Sequence, residues 1–271
     1  MLTNLVSHNG KLIPSSEAKI PVDNIEWTYG FGVYENLKIR NGKIYFADKH
    51  IDRLFESARL IGLEHGFDKE TIGKWIKALK DKNEADSANV KILLIGGKEP
   101  NLYIMTLAPK FLDRKAYSQG VHTITQEYER YLPQAKTLNM LPSYLFFKAA
   151  QAAGAHDALL IDRGGHILEG TRSNFFALND KKLFTAPLER VLNGVTRQTV
   201  IECAKNNGYK ITENLIKSAE INRYDGAFLT HTSGKIVPIR SIDKFSFPAV
   251  APGLKSLMKH YDDYLDSIYT S

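Results

Sequence analysis

The order of the predicted strands and helices is the feature that most restricts the fold of this chain. An Asn-Gly pair at 41–42 joins the alternating segment 32–40 to the strand-like segment KIYFA, and Asn-Gly in this position is a strong hairpin signal. The elements that follow are helices at 48–61 and around 72–79 and apolar strands at 90–95 and 102–107. Because strands and helices do not alternate in strict βαβ order, the sequence predicts an α+β fold and argues against a doubly wound sheet.

A loop rich in Lys, Asp and Arg at 109–119 separates this first half from a second set of elements. This set comprises strands at VHTITQEY, DALLID, HILEG, SNFFAL, KKLFTA, GAFLTHT and IVPI, and helices over 143–153, from Val195 to Asn207 and after Pro252. We therefore predict a small N-terminal α+β domain over 1–115, an interdomain linker over 116–122 and a larger C-terminal domain over 123–271.

Composition and charge exclude several classes of protein. The hydrophobic fraction of 43% and the charged fraction of 24% are those of an ordinary globular chain, so long disordered, collagen-like and solenoid folds are not expected. The 36 Lys and Arg residues outnumber the 30 Asp and Glu residues by six, but no segment gathers five or six basic residues, so no nucleic-acid partner is expected. No apolar run approaches the roughly 20 residues of a membrane helix, and no signal-peptide pattern is present, so we expect a soluble, cytoplasmic protein.

Most familiar catalytic motifs are absent from the sequence. Neither GxxxxGK[ST], GxGxxG, HExxH and GxSxG nor a cysteine pair occurs, and the single Cys203 allows no internal disulfide. His50 and His231 lack the companion spacing of a metal site, so we interpret them as packed or hydrogen-bonded residues and predict no metal. Lys136 lies among apolar residues, where a lysine can serve as an amine nucleophile, although its spacing alone favours a surface lysine.

Five segments, in order, carry a resemblance to a known family. They are GFGVYENLKIR at 30–40, HIDRLFESA at 50–58, AKTLN at 135–139, LEGTRSNFF at 168–176 and LNGVTRQTVIE at 192–202. Together they resemble the motifs of the class IV aminotransferases, pyridoxal 5′-phosphate (PLP) enzymes of fold type IV. That family includes branched-chain aminotransferases, D-amino acid aminotransferases and aminodeoxychorismate lyases. The resemblance implies a two-domain fold of the D-amino acid aminotransferase type and a homodimer.

The resemblance assigns roles toward PLP to individual residues. It implies that Lys136 forms the Schiff base with the cofactor and acts as the catalytic general acid and base. It implies that Glu169 pairs with the pyridine nitrogen and that Arg53 holds the phosphate. The other residues that it places against the cofactor are Leu192, beside the ring, and Val195, Thr196 and Thr232, at the phosphate.

Substrate-binding residues are expected on the strand of the first motif. Strand alternation puts Tyr34 and Lys38 on one face and Glu35 on the other, and by resemblance the Tyr34 face lines the active site. Arg172 follows Glu169 by three residues, and either a clamp for a substrate carboxylate or a structural ion pair accounts for it. This chain departs from the branched-chain pattern because it has ENLK in place of EGIR, with Lys38 where an arginine is expected, as in the D-amino acid enzymes. It also departs from the D-amino acid pattern, because LIGGKEPNLYIM lacks the Arg-and-His loop expected to hold the substrate carboxylate, so neither subfamily pattern is complete.

The leading expectation is a transaminase that moves an amino group between a branched-chain or D-amino acid and a 2-oxo acid. An aminodeoxychorismate lyase, which eliminates pyruvate with the same lysine and cofactor, is the alternative. Its motif carries hydroxyl residues where this chain has Glu35 and Asn36. A catalytically inactive PLP-binding relative is a third possibility, against which the intact Lys136, Glu169 and Arg53 argue.

Overall fold

The computed structural model describes residues 2–109 and 111–269, and these form two compact units. The N-terminal unit takes the described residues of Met1–Lys110 together with the segment Ala135–Met140. The C-terminal unit takes Phe111–Gln134 and the described residues of Leu141–Ser271. The stretch 116–122, predicted as a linker, contains the end of one helix and the start of a strand of the C-terminal unit.

One antiparallel sheet forms the frame of the N-terminal unit. Its strands are β1 (Leu2–His8), β2 (Lys11–Pro14), β3 (Gly32–Arg40), β4 (Lys43–Ile44), β5 (Ala88–Ile95) and β6 (Asn101–Leu107), and its helices are α1 (Ile25–Thr28), α2 (Ala47–Leu60) and α3 (Lys69–Lys82). The strand order is β2-β1-β6-β5-β3-β4. Strand β3 pairs with β5 along eight residues and with the short edge strand β4 on its other side, which makes β3 a rigid platform for side chains.

Helices α2 and α3 cover one face of this sheet because each carries an apolar stripe at helical spacing. The stripe of α2 includes Ile51 and Leu54, and both side chains are buried in one core with Leu37 and Ile39 of β3. Alternate residues of β3 therefore point into this core, as the sequence predicts, while Tyr34 and Lys38 lie on the other face of the strand.

The segment Ala135–Met140 follows part of the C-terminal unit in sequence, yet it is packed in the N-terminal unit. The Tyr34 N–H donates to the Lys136 carbonyl at 3.0 Å, and the Leu138 N–H donates to the Gly32 carbonyl at 2.9 Å. The Lys136 N–H donates to Ser57 Oγ at 3.0 Å. These hydrogen bonds place the segment alongside β3 and hold Lys136 next to the strand.

The C-terminal unit is built on a second, mixed sheet. Its strands are β7 (Val121–Glu127), β8 (Asp157–Ile161), β9 (His166–Gly170), β10 (Asn174–Asn179), β11 (Lys182–Thr185), β12 (Lys210–Glu213), β13 (Ile216–Lys217), β14 (Gly226–His231), β15 (Lys235–Ile242) and β16 (Phe245–Ser246). Its helices are α4 (Arg114–Ser118), α5 (Leu141–Ala152), α6 (Val195–Asn206) and α7 (Pro252–Tyr269). Strands β10, β14, β15, β7, β8 and β9 are neighbours in that order.

A further pairing of β9 with β10, between Glu169 and Asn174, closes these six strands into a ring. Phe175, Leu229 and Val237 fill its interior core. On the opposite face of the strands Phe176 stacks on Phe228, with ring centroids 4.9 Å apart. Asn174 and Thr230 are cross-strand partners and therefore share this second face.

The elements confirm the predicted α+β class, with several local differences. The predicted strand KIYFA stops at Ile44, because Phe46 adopts a left-handed conformation (φ 52°) and α2 begins at Ala47. The hairpin β1–β2 was missed, although Asn9 and Gly10 repeat the Asn-Gly signal. The short strands β12, β13 and β16 and the short helices α1 and α4 are also absent from the predicted elements. Among the helices of the described residues, none has the combination of length and apolar character that crossing a membrane requires.

Candidate active site

A buried carboxylate joins β3 to α2 in the N-terminal unit. Glu35 is fully buried, and its two oxygens accept hydrogen bonds from Arg53 Nε at 2.6 Å and Arg53 Nη2 at 2.8 Å. The same carboxylate accepts a hydrogen bond from His50 Nδ1 at 2.7 Å, so Nδ1 carries the proton. His50 and Arg53 are three residues apart on α2 and thus face the same strand. Glu35 therefore holds the Arg53 guanidinium in one orientation.

The charges in this cluster follow from burial and pairing. Burial alone would raise the pKa of Glu35, but the Arg53 guanidinium and His50 outweigh it and hold the pKa well below its usual range. Burial lowers the pKa of His50 and outweighs the opposing effect of the Glu35 carboxylate. At neutral pH the cluster is an ionised pair of Glu35 and Arg53 with a neutral imidazole beside it.

Lys136 lies against Tyr34 of β3. The Lys136 Nζ donates to the Tyr34 hydroxyl at 3.3 Å and stands 4.4 Å from the centroid of the Tyr34 ring. The Tyr34 hydroxyl donates in turn to Met140 Sδ at 3.2 Å. Lys38, which was predicted beside Tyr34, is half-buried on the same strand face, four residues further along β3. The structure thus brings Lys136 and Tyr34 together, whereas the predicted substrate role of Lys38 stays a prediction.

A second buried carboxylate, Glu169, lies at the end of β9 in the C-terminal unit. Arg130 Nε donates to Glu169 Oε1 at 2.7 Å, and Arg130 Nη2 donates to the Thr171 carbonyl at 2.8 Å. The other carboxylate oxygen accepts from the Asn174 side chain and from the Leu192 N–H, each at 3.3 Å. The Asn174 amide also donates to the Leu192 carbonyl at 2.8 Å. The structure therefore brings Glu169 and Leu192 together, and contact of both with the cofactor ring stays a prediction.

The turn that follows Glu169 is held by a third buried carboxylate. Asp157 accepts hydrogen bonds from the Thr171 hydroxyl at 2.5 Å and the Ser173 hydroxyl at 2.9 Å. Arg172, between them, is exposed and lays its guanidinium over the Phe147 ring of α5, 3.5 Å from the centroid. Arg172 is thus a surface side chain stacked on an aromatic ring and carried by a rigid turn.

The N-terminus of α6 offers backbone donors for an anion. Gly194 is its N-cap and supplies no side-chain acceptor, so the first N–H groups of the helix, at Val195 and Thr196, receive no side-chain cap. A Cβ at Gly194 would collide with Asn174 Oδ1, so a larger residue there would displace the Asn174 side chain, which is hydrogen-bonded to Glu169 and to the Leu192 carbonyl. Within the described residues the buried Thr230 hydroxyl, on the same sheet face as Asn174, finds no hydrogen-bond partner. Thr232, predicted at the phosphate, is half-buried in the turn after β14.

Comparison with known proteins identifies the family. The model of the family described as amino-transferase class IV matches residues 32–242. A D-alanine aminotransferase from Bacillus licheniformis is 32% identical over 260 residues, which cover 92% of each chain. A probable branched-chain-amino-acid aminotransferase from Rickettsia typhi is 32% identical over 248 residues, covering 87% of this chain and 86% of that protein. The chain belongs to the class IV aminotransferases.

The fold of this class IV aminotransferase agrees with that assignment. The solved structure of the T.th. branched-chain amino acid aminotransferase with pyridoxamine 5′-phosphate superposes with a TM-score of 0.88 at 25% identity, covering 98% of this chain and 94% of that one. The fold type IV prediction is confirmed, and so is the prediction of a PLP-dependent aminotransferase. The Bacillus licheniformis and Rickettsia typhi relatives are both named aminotransferases, so the lyase alternative is not favoured.

The residues present in this class IV aminotransferase fit PLP. The uncapped N-terminus of α6, a glycine that a Cβ would block and a buried hydroxyl without a partner suit a phosphate group. The Glu169 carboxylate, held by Arg130, suits a protonated ring nitrogen. The Lys136 amine, held beside β3, suits an aldehyde.

Several residues of these clusters were not found by sequence reasoning. They are Glu35, Arg130, Asp157 and Thr230, while His50 was interpreted only as a packed or hydrogen-bonded residue. Glu35 carried a usable signal, because it lies on the apolar face of β3, where a carboxylate requires a cationic or hydrogen-bonding partner. Arg130 and Asp157 have partners in segments distant in sequence, which periodicity does not connect, and the Thr230 hydroxyl has no partner among the described residues that could have indicated it.

Proposed function

We propose that this enzyme transfers the amino group of a D-amino acid to a 2-oxo acid, with Lys136 as the covalent cofactor-binding residue and general acid and base. The observation that carries the proposal is the Lys136 amine, held by backbone hydrogen bonds beside β3 and by the Tyr34 hydroxyl. PLP, when bound, supplies the electron sink that makes the α-proton of an amino acid labile. The protein supplies a base that reaches this proton and donors that fix the cofactor.

Each remaining residue has a defined task in this proposal. Arg53, oriented by Glu35, and the N–H groups of Val195 and Thr196 bind the phosphate, with Thr232 as a further donor. Glu169 keeps the ring nitrogen protonated, since a fixed negative charge favours the charged form of its neighbour. Leu192 packs against the ring.

The choice of a D-amino acid rests on Lys38 and on the relatives. By the resemblance, D-amino acid enzymes carry a lysine where branched-chain enzymes carry an arginine, and this chain has Lys38 there. The Bacillus licheniformis relative is named for D-alanine. A branched-chain L-amino acid is the second candidate, because the Rickettsia typhi relative is named for that activity at the same identity.

The visible spectrum of the purified holoenzyme tests both parts. We expect D-alanine to convert the bound cofactor to its amine form, and 2-oxoglutarate to restore the original band. L-leucine should leave the spectrum unchanged. Conversion by L-leucine alone would favour the second candidate, whereas conversion by no amino acid would contradict transamination.

Variants of two neighbouring lysines test the assignment of Lys136. Lys136→Ala should lose the band of the covalently bound cofactor. Lys91 also approaches the Tyr34 ring, with its Nζ 5.7 Å from the centroid, so Lys91→Ala is a matched control that should keep the band. Loss of the band in Lys91→Ala alone would transfer the role to that lysine.

For Arg172 we propose contact with the substrate carboxylate. Its support is the stacking on Phe147 and the turn held by Asp157, which together present a planar donor group on a rigid base. Arg172→Ala should raise KM for the amino acid about tenfold or more, the loss of one charge-assisted hydrogen bond. Arg223→Ala removes an exposed arginine that pairs with Glu220 and should leave KM unchanged. Unaltered KM in a folded Arg172→Ala enzyme would contradict this role.

We further propose a cytoplasmic homodimer. Leu141, Tyr144 and Leu145 on α5 expose 65%, 57% and 53% of their surface, and a second copy of the chain would cover them. The lone, buried Cys203 fits a reducing compartment. Light scattering of the holoenzyme tests the dimer, and a monomer at micromolar concentration would contradict it.

A further inference from the structure

The backbone places Tyr34 and Lys136 side by side. The Tyr34 N–H donates a hydrogen bond to the Lys136 carbonyl, and a second hydrogen bond, from the Leu138 N–H to the Gly32 carbonyl, fixes the register of the two segments. Both bonds are between backbone atoms. A change of either side chain therefore leaves the segment beside β3, and the two side chains can be altered without releasing it.

Met140 determines which way the Tyr34 hydroxyl points. A thioether sulfur has lone pairs and no hydrogen, so in the contact of 3.2 Å the Tyr34 O–H must be the donor and Met140 Sδ the acceptor. A phenol has one hydrogen. The lone pairs of the Tyr34 oxygen are therefore left for the Lys136 Nζ, 3.3 Å away, which is the donor of the pair.

The ring of Tyr34 acts on the same amine. Lys136 Nζ stands 4.4 Å from the ring centroid, within the range in which the negative face of an aromatic ring attracts a cation. Tyr34 is only 8% exposed, so water competes little for this interaction. The ring face and the hydroxyl of Tyr34 together restrict the Lys136 amine to one region beside β3.

We propose that Tyr34 is a positioning residue for Lys136, whose hydroxyl, directed by Met140, accepts a hydrogen bond from Nζ and holds that atom during proton transfer. The inference rests on the proposed function of Lys136. With PLP bound, the Lys136 amine would take up the proton that leaves the α-carbon of the amino acid and would later release it. Between these two events Nζ carries the additional proton, and the Tyr34 oxygen is the acceptor that keeps it in place.

This role differs from the substrate-binding role that the sequence analysis gave to Tyr34. A residue that contacts the substrate alters KM, whereas a residue that holds the general base alters the proton-transfer step and hence kcat. The difference can be measured directly in the holoenzyme.

The test uses three single variants and one double variant. Tyr34→Phe keeps the ring and removes the acceptor for Nζ, and Met140→Leu keeps the volume and removes the acceptor for the hydroxyl. Tyr103→Phe is the matched control, because Tyr103 is a buried tyrosine of the same unit whose hydroxyl donates to the Lys19 carbonyl at 3.1 Å. Thermal unfolding of each holoenzyme verifies that it is folded.

We expect Tyr34→Phe to lower kcat of the amino-acid half-reaction about ten- to a hundredfold with KM nearly unchanged, the effect of one hydrogen bond to a charged group. An α-deuterated amino acid should show a larger isotope effect on Tyr34→Phe than on the wild-type enzyme. Met140→Leu should give a smaller loss of the same kind, and Tyr103→Phe none.

The double variant shows whether Met140 acts through Tyr34. Once the hydroxyl is absent, Met140 has nothing to direct, so Tyr34→Phe/Met140→Leu should be no slower than Tyr34→Phe alone. Independent effects of the two substitutions would overturn the proposal. A rise in KM with unchanged kcat and isotope effect in Tyr34→Phe would also overturn it and return Tyr34 to substrate binding.

A measurement on the cofactor-free full chain separates this proposal from the proposed function. The chain has four methionines, so a sample labelled at the methionine methyl carbons gives four signals, and Met140→Leu identifies one of them. That signal should shift in Tyr34→Phe and stay in place in Tyr103→Phe. A signal that stays in place in Tyr34→Phe would overturn the hydrogen bond whatever the enzyme does. A shift accompanied by no transamination in the wild type would instead overturn the proposed function.

Discussion

Removing the charge of Glu35 should destabilise the N-terminal unit and disorder Arg53. Glu35 is fully buried and accepts hydrogen bonds from Arg53 Nε and Nη2, from His50 Nδ1 and from the Asn36 N–H. The variant Glu35→Gln keeps the shape but turns one oxygen into an amide NH2. This NH2 faces a donor, so at least one charge-assisted bond is lost and the Arg53 guanidinium is left without its counter-ion.

The size of the effect follows from the burial of the pair. Breaking a buried ion pair by removing one partner costs about 3–5 kcal/mol. The Arg53 side chain is 10% exposed, so water reaches it in part and we expect the lower end, about 3 kcal/mol. Arg53→Met should cost a similar amount. The double variant Glu35→Leu/Arg53→Met should cost clearly less than the sum of its single changes, because neither charge is then left alone.

Urea unfolding followed by tryptophan fluorescence measures the free energy of unfolding of the N-terminal unit, to which Glu35 and Arg53 belong. The chain has two tryptophans, Trp27 and Trp75, and both belong to the N-terminal unit. Glu56 and Arg59 form an exposed ion pair on α2, the helix that carries Arg53. Glu56→Gln is therefore the matched control and should change the stability little. A loss below about 1 kcal/mol in Glu35→Gln, or simple additivity in the double variant, would refute the argument from burial.

Two further predictions concern pH and the cofactor. Because burial lowers the pKa of His50, the unfolded chain binds a proton that the folded chain does not once the pH falls below about 6.5, so stability is complete above that pH and declines below it. Unfolding at pH 7.5, 6.5 and 5.5 should show a decline in the free energy of unfolding of up to about 1.4 kcal/mol per pH unit from this residue. If His50→Gln showed the same dependence on pH, the decline would not arise from His50. Gly194→Ala should speed PLP dissociation, measured by dialysis, because its Cβ collides with Asn174. Gly73→Ala is the control, because its Cβ meets nothing within 4 Å, and it should leave PLP dissociation unchanged. If Gly194→Ala retained PLP as long as the wild type does, the role of the α6 N-terminus would be contradicted.

The local elements were predictable because they depend on residues near one another in sequence. The alternation of β3 placed Leu37 and Ile39 in the core, and the helical spacing of Ile51 and Leu54 located α2 within one residue at each end. The predicted strand after Asn41 failed at Phe46 for a local reason too. Its left-handed backbone starts a helix, and no residue preference indicates such a conformation for phenylalanine.

The motifs assigned cofactor roles to individual residues, and these roles stay predictions, but the motifs did not indicate which partners hold those residues in the structure. Glu169 was identified from its motif, whereas its partner Arg130 was not, because the two are 39 positions apart. Arg53 was identified, and its partner Glu35 was assigned to the opposite strand face without a function. The partner of a buried charge is chosen by packing, since any cation brought within hydrogen-bond distance lowers the cost of burial.

The sequence by itself determined the α+β class, the positions of most strands and helices and the family, because these depend on short-range patterns and motifs. Only the tertiary structure decided that Lys136 lies against Tyr34, 102 positions earlier, and that Met140 directs the hydroxyl between them. The physical reason is that hydrogen-bond geometry depends on distances of a few tenths of an ångström. Such distances are set only when β3 and the segment Ala135–Met140 are packed in one unit.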